Sequence, residues 1–375
     1  MNKKIKVESP GRINLIGEHV DYNGGSVLPG AIDKKVEFTV ENIPGNKCFI
    51  ESKTINKKFE FDFSSLEKST EHWQNYILGT VNNLINKKNQ RLSAFSCEIN
   101  SSLPIGAGIS SSSALISGLA WSLIEINNLE IKKNEIVDIV SDVEHNYIGL
   151  KGGIMDQFTI LNGQKNKLIH LECHSRNFKY VNAEFKDYQI ILLNTNVEHN
   201  LANTAYNDRV EECNYALKLI NEKYSNKFSS LCEVDLNIIE SLKNVMDVKI
   251  FNRASFVINE NLRTNNAAKK LNEFKLMEIG NLMYQSHAGL KDLYEVSCNE
   301  LDYLVDLTKA HDQIIGSRMM GGGFGGCTIN LIHKKFTDEF IDEASRCYFE
   351  KFSINLTPIE INICDGVKIK NLQTD

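Results

Sequence analysis

Five of the six residues from Gly321 to Gly326 are glycine, and the run closes on Cys327. Such a run favours neither helix nor strand, because glycine loses more backbone freedom on ordering than any other residue. It makes sense where backbone must pass close to a ligand or to another loop. A flexible hinge is the alternative, but an apolar strand pattern, Cys327–Ile332, begins straight afterwards. The run therefore predicts a close-packed irregular loop that feeds a strand.

The rest of the chain mixes both kinds of element. Strand patterns occur at 5–7, Val36–Val40, Cys48–Lys53, Ala94–Asn100, Leu168–Leu171, Gln189–Leu193 and Ile359–Ile363. Lys57–Phe63 alternates strictly, with Phe59, Phe61 and Phe63 on one face, as a half-buried strand does. Helical patterns cover Trp73–Ile85, Glu135–Ile148, about Asn207–Tyr224, parts of Ser229–Glu295, Glu300–Ala310 and Asp338–Phe352. Ser110–Ile126 is a further helix, with Leu115, Leu119, Leu123 and Ile126 in one stripe. Strands and helices do not alternate as βαβ units, which predicts an α+β fold. At 375 residues the chain suits two domains, and the pattern restarts near 181, giving 1–180 and 181–375.

Bulk properties exclude several classes. A net charge of −6 and a pI near 5.9 argue against non-specific binding to nucleic acid or to an anionic membrane. The first residues lack the apolar core of a signal peptide, and no run approaches the roughly 20 apolar residues that span a bilayer. Nine cysteines, widely spaced and without C-x-x-C, argue against a disulfide framework or a structural zinc site. They read as reduced thiols in a cytoplasmic protein.

Between Pro10 and Pro29 the chain reads P-G-R-I-N-L-I-G-E-H-V-D-Y-N-G-G-S-V-L-P. Arg12, Glu18, His19 and Asp21 fall within ten residues there. Carboxylates accept from sugar hydroxyls while imidazole and guanidinium donate, so the cluster suits a polyhydroxylated ligand. The alternative is a charged surface turn.

Leu103–Leu115 reads L-P-I-G-A-G-I-S-S-S-S-A-L. Two glycines and then serines at a helix start suit an anion, which meets free N–H groups and a positive dipole end. The lysine of a P-loop is missing, and serines also cap helices for structural reasons alone. Glu144 interrupts an apolar helical stripe, where a carboxylate is costly to bury unless paired or metal-bound. A salt bridge at the helix boundary is its other reading. Asp156 follows Gly152-Gly153 in G-G-I-M-D-Q-F, as a cleft residue or as a helix cap.

These three segments, with G-S-R-M-M-G-G-G-F-G-G-C at 316–327, resemble in order the motifs of the galactokinase family within the GHMP kinases. N-E-N-L-R-T at 259–264 and the stretch Leu282–Asp302 are similar to it as well. The resemblance implies a two-domain GHMP kinase fold. Its N-terminal domain has a mixed sheet with helices, its C-terminal domain is a ferredoxin-like sandwich, and the active site lies in the cleft between them. It implies an enzyme that phosphorylates the anomeric hydroxyl of galactose from ATP with Mg²⁺. Asp156 carries over as the base and Arg12 as the cation beside it. Glu18, His19, Asp21, Gly153 and Tyr206 carry over as sugar contacts. Gly106, Ala107, Gly108, Ile109, Ser110, Ser111, Ser112 and Ser113 carry over around the phosphates, and Trp73 beside the adenine. Ser112 and Glu144 carry over as the Mg²⁺ ligands. The expected partners are galactose and ATP, with no nucleic acid or membrane, and the chain is expected to be a monomer.

The chain also departs from the family pattern. Ser113-Ala114 stands where Ala then Ser is usual, Gly152 where Cys is, and Met320 where Thr is. Glu198 and Val210 stand where basic residues are common, and Phe256 where His is frequent. Only nine residues precede Pro10, fewer than usual. A kinase for another sugar, a non-catalytic sugar sensor, and a kinase for isoprenoid or amino-acid hydroxyls are the competing functions.

Overall fold

The computed structural model describes residues 3–104, 106–197, 202–225 and 227–370. In chain order its first half holds β1 (Lys4–Asn14), β2 (Ser26–Val27), β3 (Pro29–Asn42), β4 (Lys47–Ser52), β5 (Lys57–Asp62), α1 (His72–Asn82), β6 (Phe95–Ser101), α2 (Ser111–Ile126), α3 (Lys133–Val143), α4 (Met155–Asn162), β7 (Lys167–Glu172) and β8 (Asn177–Asn182). The second half holds β9 (Tyr188–Asn194), α5 (Ala202–Lys223), α6 (Leu236–Glu240), α7 (Val248–Asn272), α8 (Leu276–Asp292), α9 (Asn299–Thr308), β10 (Ile314–Met319), β11 (Cys327–His333), α10 (Thr337–Phe352), β12 (Thr357–Glu360) and β13 (Lys368–Lys370).

β1 is buried almost throughout from Val7 to Asn14, which places it inside a sheet. That sheet runs β13-β1-β3-β6-β4-β5, antiparallel except for the parallel β4–β6 pair. Helices α2 and α4 pack on it, α1 and α3 pack on those helices, and the α2 stripe of Leu119 and Leu123 is fully buried. A small sheet, β2-β7-β8, lies beside it. The second large sheet runs β10-β11-β9-β12, with every neighbouring pair antiparallel. In sequence order this is second, third, first, fourth, because the helices α5 to α9 separate β9 from β10. One mixed and two antiparallel sheets, unevenly interleaved helices and no βαβ alternation make the fold α+β, as the patterning predicts.

One continuous core extends from Val7 in β1 to Ile359 in β12. A second, smaller cluster joins Ile191, Leu193, Ile314 and Ile332 to Phe340 and Tyr348 of α10. The restart near 181 corresponds to the end of β8, and residue 180 itself lies inside that strand. The chain end also returns to the first sheet, where β13 pairs with β1 and Ile363 bridges to Ile32.

Two predicted helices end differently from expectation. Trp73–Ile85 is α1 followed by a π turn at 83–87, and Glu135–Ile148 is α3 followed by a π turn at Glu144–Ile148. A π turn inserts a residue into the helical ladder and is frequent at functional sites. The predicted strand Ile359–Ile363 is displaced to Thr357–Glu360. Strands β8, β10 and β13 and helix α4 gave no clear pattern. In β10, I-I-G-S-R-M, the polar residues are as buried as the apolar ones, so no alternation marks the strand.

Candidate active site

The chemistry-bearing segments meet in one cavity of about 190 Å³. Arg12, Glu18, His19, Asp21, Ser112, Ser113, Glu144, Gly153, Asp156 and Tyr206 all line it. Leu150, Gly152, Met155, Gln157 and residues 321–324 complete the wall.

At its centre Arg12 grips Asp156. Arg12 Nε donates to Asp156 Oδ1 at 2.7 Å and Nη2 to Oδ2 at 3.1 Å, a two-pronged pair. Nη1 donates to the Gly108 carbonyl at 2.7 Å, so the same guanidinium also holds the glycine-serine loop. Burial works against the Arg12 charge, but Asp156, Glu18 and Asp21 outweigh it and raise its pKa. Asp156 is the second residue of α4, and the preceding Ile154 takes the cap position without a side-chain bond. Asp156 is therefore not a helix cap. Its Oδ2 accepts from the Ser110 hydroxyl too. Ser110 has φ +61°, a left-handed conformation that a serine seldom adopts. That turn ends the glycine-serine loop and starts α2.

The sugar-type cluster divides into two. Asp21 lies in a single 3₁₀ turn, Asp21–Asn23, pressed against Gly153. A Cβ on Gly153 would stand 2.4 Å from Asp21 Oδ2 and 2.7 Å from the Tyr22 nitrogen, so only glycine fits. Burial, reinforced by the nearby Asp156, pushes the Asp21 carboxyl up to about 7. Glu18 is engaged more deeply in the protein. Its Oε1 accepts from Arg318 Nη1 at 3.0 Å and from the Gly321 N–H at 2.7 Å, and its Oε2 from Asn14.

His19 bonds through both ring nitrogens, Nε2 to the Gly322 carbonyl at 3.2 Å and Nδ1 to the Tyr22 hydroxyl at 2.8 Å. A carbonyl only accepts, so Nε2 carries the proton and Tyr22 donates to Nδ1. Burial lowers its pKa to about 3, which keeps the ring neutral. Tyr206 of α5 leans on this ring, with centroids 5.3 Å apart, and closes one side of the cavity.

Glu144, also lining the cavity, opens the π turn after α3 and is 5% exposed. Among the described residues it has no cationic partner; the Ser113 hydroxyl donates to its Oε1 at 2.5 Å. Burial pushes this carboxyl up to about 8, with Asp156 and Asp21 adding to the rise. Ser112 shares the cavity wall. A carboxylate and a hydroxyl are the hard oxygen donors that suit Mg²⁺. No group of three or more His, Cys, Asp or Glu converges among the described residues, so a cation here would draw further oxygens from a phosphate ligand or water.

The glycine run behaves as its composition predicts. Gly323 has φ +80°, and a Cβ there would lie 2.1 Å from the Val296 carbonyl oxygen. Gly321 to Gly323 thus reach the cavity as bare backbone. Trp73 does not line this cavity. It packs edge-on against Phe59, with centroids 5.1 Å apart, beside a separate groove between α1 and β5. Gly106, Gly108 and Ser111 lie off the cavity wall as well, and Ala107 and Ile109 turn their side chains into the core.

Models for a galactokinase galactose-binding signature, the GHMP kinases N terminal domain and the GHMP kinases C terminal domain match residues 2–41, 75–164 and 267–350. The galactokinase of Thermosipho africanus is 39% identical over 98% of this chain and 100% of its own length. The chain belongs to the galactokinase family. The crystal structure of Lactococcus lactis galactokinase complexed with galactose superposes with a TM-score of 0.93 at 32% identity, covering 98% of this chain and 95% of that one. A mevalonate kinase of Methanococcus jannaschii shares the fold, with a TM-score of 0.67 at 18% identity, covering 97% of this chain and 99% of that one.

Among galactokinases the departures in this chain now have locations. Gly152 faces Tyr206, whose hydroxyl would lie 3.9 Å from an added Cβ, so space remains for the usual cysteine. Phe256 is fully buried against Tyr294, with centroids 4.8 Å apart, an apolar use of a position where His is frequent. Val210 and Met320 are buried too. Glu198 lies outside the described residues. All nine cysteines are free thiols.

Sequence reasoning missed Arg318, Tyr22, Tyr294 and the bond from Ser113 to Glu144. Arg318 had one available signal, a lone cation inside an otherwise uncharged strand. Its partner Glu18 lies 300 residues away in the chain. The link of Ser110 to Asp156 had none, since four consecutive serines look alike in sequence.

Proposed function

We propose that this phosphotransferase moves the γ-phosphoryl group of ATP to the anomeric hydroxyl of α-D-galactose, giving galactose 1-phosphate and ADP, with Asp156 as the base. The observation that carries this reading is the Asp156 carboxylate, fixed by Arg12 and Ser110 on a wall shared with Asp21, Gly153, Tyr206, Ser112 and Glu144.

Asp156 would orient the anomeric hydroxyl and take its proton as the phosphoryl group arrives. Arg12 pairs with that carboxylate through two hydrogen bonds and would offset charge on the phosphoryl oxygens. In a loose phosphoryl-transfer transition state, positioning and electrostatic stabilisation supply most of the rate. Asp21, the Gly153 backbone and Tyr206 would bind the sugar ring, with Glu18 contributing lone pairs left free by Arg318. His19, with both nitrogens engaged, supports the site by holding Tyr22 and the Gly322 carbonyl. The loop Gly106–Ser113 would meet the phosphates, and Trp73 would border the adenine. Glu144 and Ser112 would hold Mg²⁺, which when bound neutralises charge on the β- and γ-phosphates.

Free thiols throughout support a cytoplasmic setting. On the same reading the two domains divide in the turn at 183–187, just past the 180/181 cut, and the chain's last strand belongs with the first domain. The test is ADP release with Mg·ATP against galactose, glucose, N-acetylgalactosamine and arabinose. Turnover with galactose that is lost in Asp156→Asn is expected. Galactose binding without turnover on any sugar would instead make the chain a sensor.

A further inference from the structure

Ser113 stands where the resemblance makes alanine usual, and its hydroxyl has a specific partner in this chain. It lies in the first turn of α2, 2% exposed, and its hydroxyl donates to Glu144 Oε1 at 2.5 Å. No other donor or cation reaches Glu144 among the described residues, although that carboxylate is 5% exposed and lines the cavity. A buried carboxylate with a single donor has one orientation fixed by that donor. Here the bond joins two separate elements, the start of α2 and the π turn after α3, and it involves the residue next to Ser112.

We propose that Ser113 is a positioning residue for the divalent-cation site of this enzyme: it clamps Oε1 of Glu144 so that Oε2 faces the cation that accompanies the nucleotide. The inference rests on the assignment of Glu144 and Ser112 as cation ligands. Ser113 acts on the cation through Glu144 and does not itself ligate it. Its hydroxyl fixes the carboxylate rotamer and occupies one oxygen, leaving the other for the metal. Partners of metal ligands act in this way generally, and their loss weakens metal binding by roughly 10- to 100-fold.

The experiment measures Mn²⁺ binding in the presence of ADP by electron paramagnetic resonance, with galactose affinity measured in parallel. In Ser113→Ala the Mn²⁺ dissociation constant is expected to rise by roughly 10-fold or more, while galactose affinity stays within twofold. Ser113→Thr, which keeps the hydroxyl, is expected to recover most of the loss. In a Glu144→Gln background the Ser113→Ala change should have no further effect.

A folded Ser113→Ala protein with unchanged Mn²⁺ affinity overturns the proposal, as does a loss that persists undiminished in the Glu144→Gln background. If Glu144→Gln alone leaves Mn²⁺ affinity intact, the assignment of the cation ligand fails instead. Mg²⁺ titrations of turnover add a second readout. Ser113→Ala should raise the Mg²⁺ concentration needed for half-maximal rate, and Ser113→Thr should restore it.

Discussion

Glu18 and Arg318 form an ion pair at 3.0 Å with both side chains essentially sealed from solvent. Arg318 also donates to the carbonyls of Asn14, Leu15 and Met319, so each charge is hydrogen-bonded as well as paired. The pair ties the sugar-binding signature to β10, just ahead of the glycine run. Removing one partner would leave the other charge buried alone, which costs about 3–5 kcal/mol. Arg318→Met is therefore expected to lower unfolding stability by that order, read from urea denaturation. A loss below about 1 kcal/mol would mean that the pair is not a principal link here.

Gly153 and Gly152 make a matched test of the close approach at Asp21. Gly153→Ala drives a methyl into Asp21 and the Tyr22 nitrogen, whereas Gly152→Ala meets nothing nearer than 3.9 Å. The first is expected to raise the galactose KM at least tenfold with a small change for ATP. The second should stay near wild type. Equal effects from the two would contradict the packing described.

Asp156→Asn keeps the size of the side chain but presents an amide N–H₂ group to Arg12 or to the Ser110 hydroxyl. Loss of a positioned base and of the ion pair is expected to reduce kcat by roughly 10²- to 10⁴-fold. Nucleotide affinity, measured by calorimetry, should change little. Substantial residual turnover would remove Asp156 from the role of base.

Asp21 makes the ligand-free protein sensitive to pH in a definite direction. Burial raises its carboxyl from 3.8 to about 7 in the folded state. Below pH 4 both folded and unfolded chains carry the proton. From there to pH 7 the unfolded chain loses it while the folded chain keeps it, so stability falls as pH rises and levels off above 7. Relative to Asp21→Asn, the wild type should lose on the order of 4 kcal/mol across this window in thermal or urea unfolding. Galactose hydroxyls prefer the ionised carboxylate, so the galactose dissociation constant should fall as pH rises towards 7. A constant that is flat from pH 5 to 7 would separate Asp21 from sugar binding.

Local chemistry was legible along the chain. The helix start at Ser110–Ser113, the alternating strand Lys57–Phe63 and the loop forced by the glycine run each depend on neighbours in sequence. The residues that line the cavity were legible too, because Arg12, Glu18, His19, Asp21, Glu144, Asp156 and Tyr206 lie in compact motifs. Strand β10 was not legible: Arg318 is tolerated in the core because Glu18 and distant backbone carbonyls meet it, Ser317 because it bonds Asn330, and Gly316 because it packs against Gly280.

What each polar group does inside the cavity was decided by tertiary structure alone. Sequence made Glu18 and His19 equal candidates for sugar hydroxyls, yet Arg318 and Gly321 occupy one while Tyr22 and Gly322 hold the other. Four serines in a row were equivalent until the left-handed turn at Ser110 aimed one hydroxyl at Asp156 and the first turn of α2 aimed another at Glu144. The physical reason is range. Periodicity, caps and glycine freedom act within a few residues, whereas the partners of a buried charge are chosen by whichever distant segments folding brings within about 3 Å.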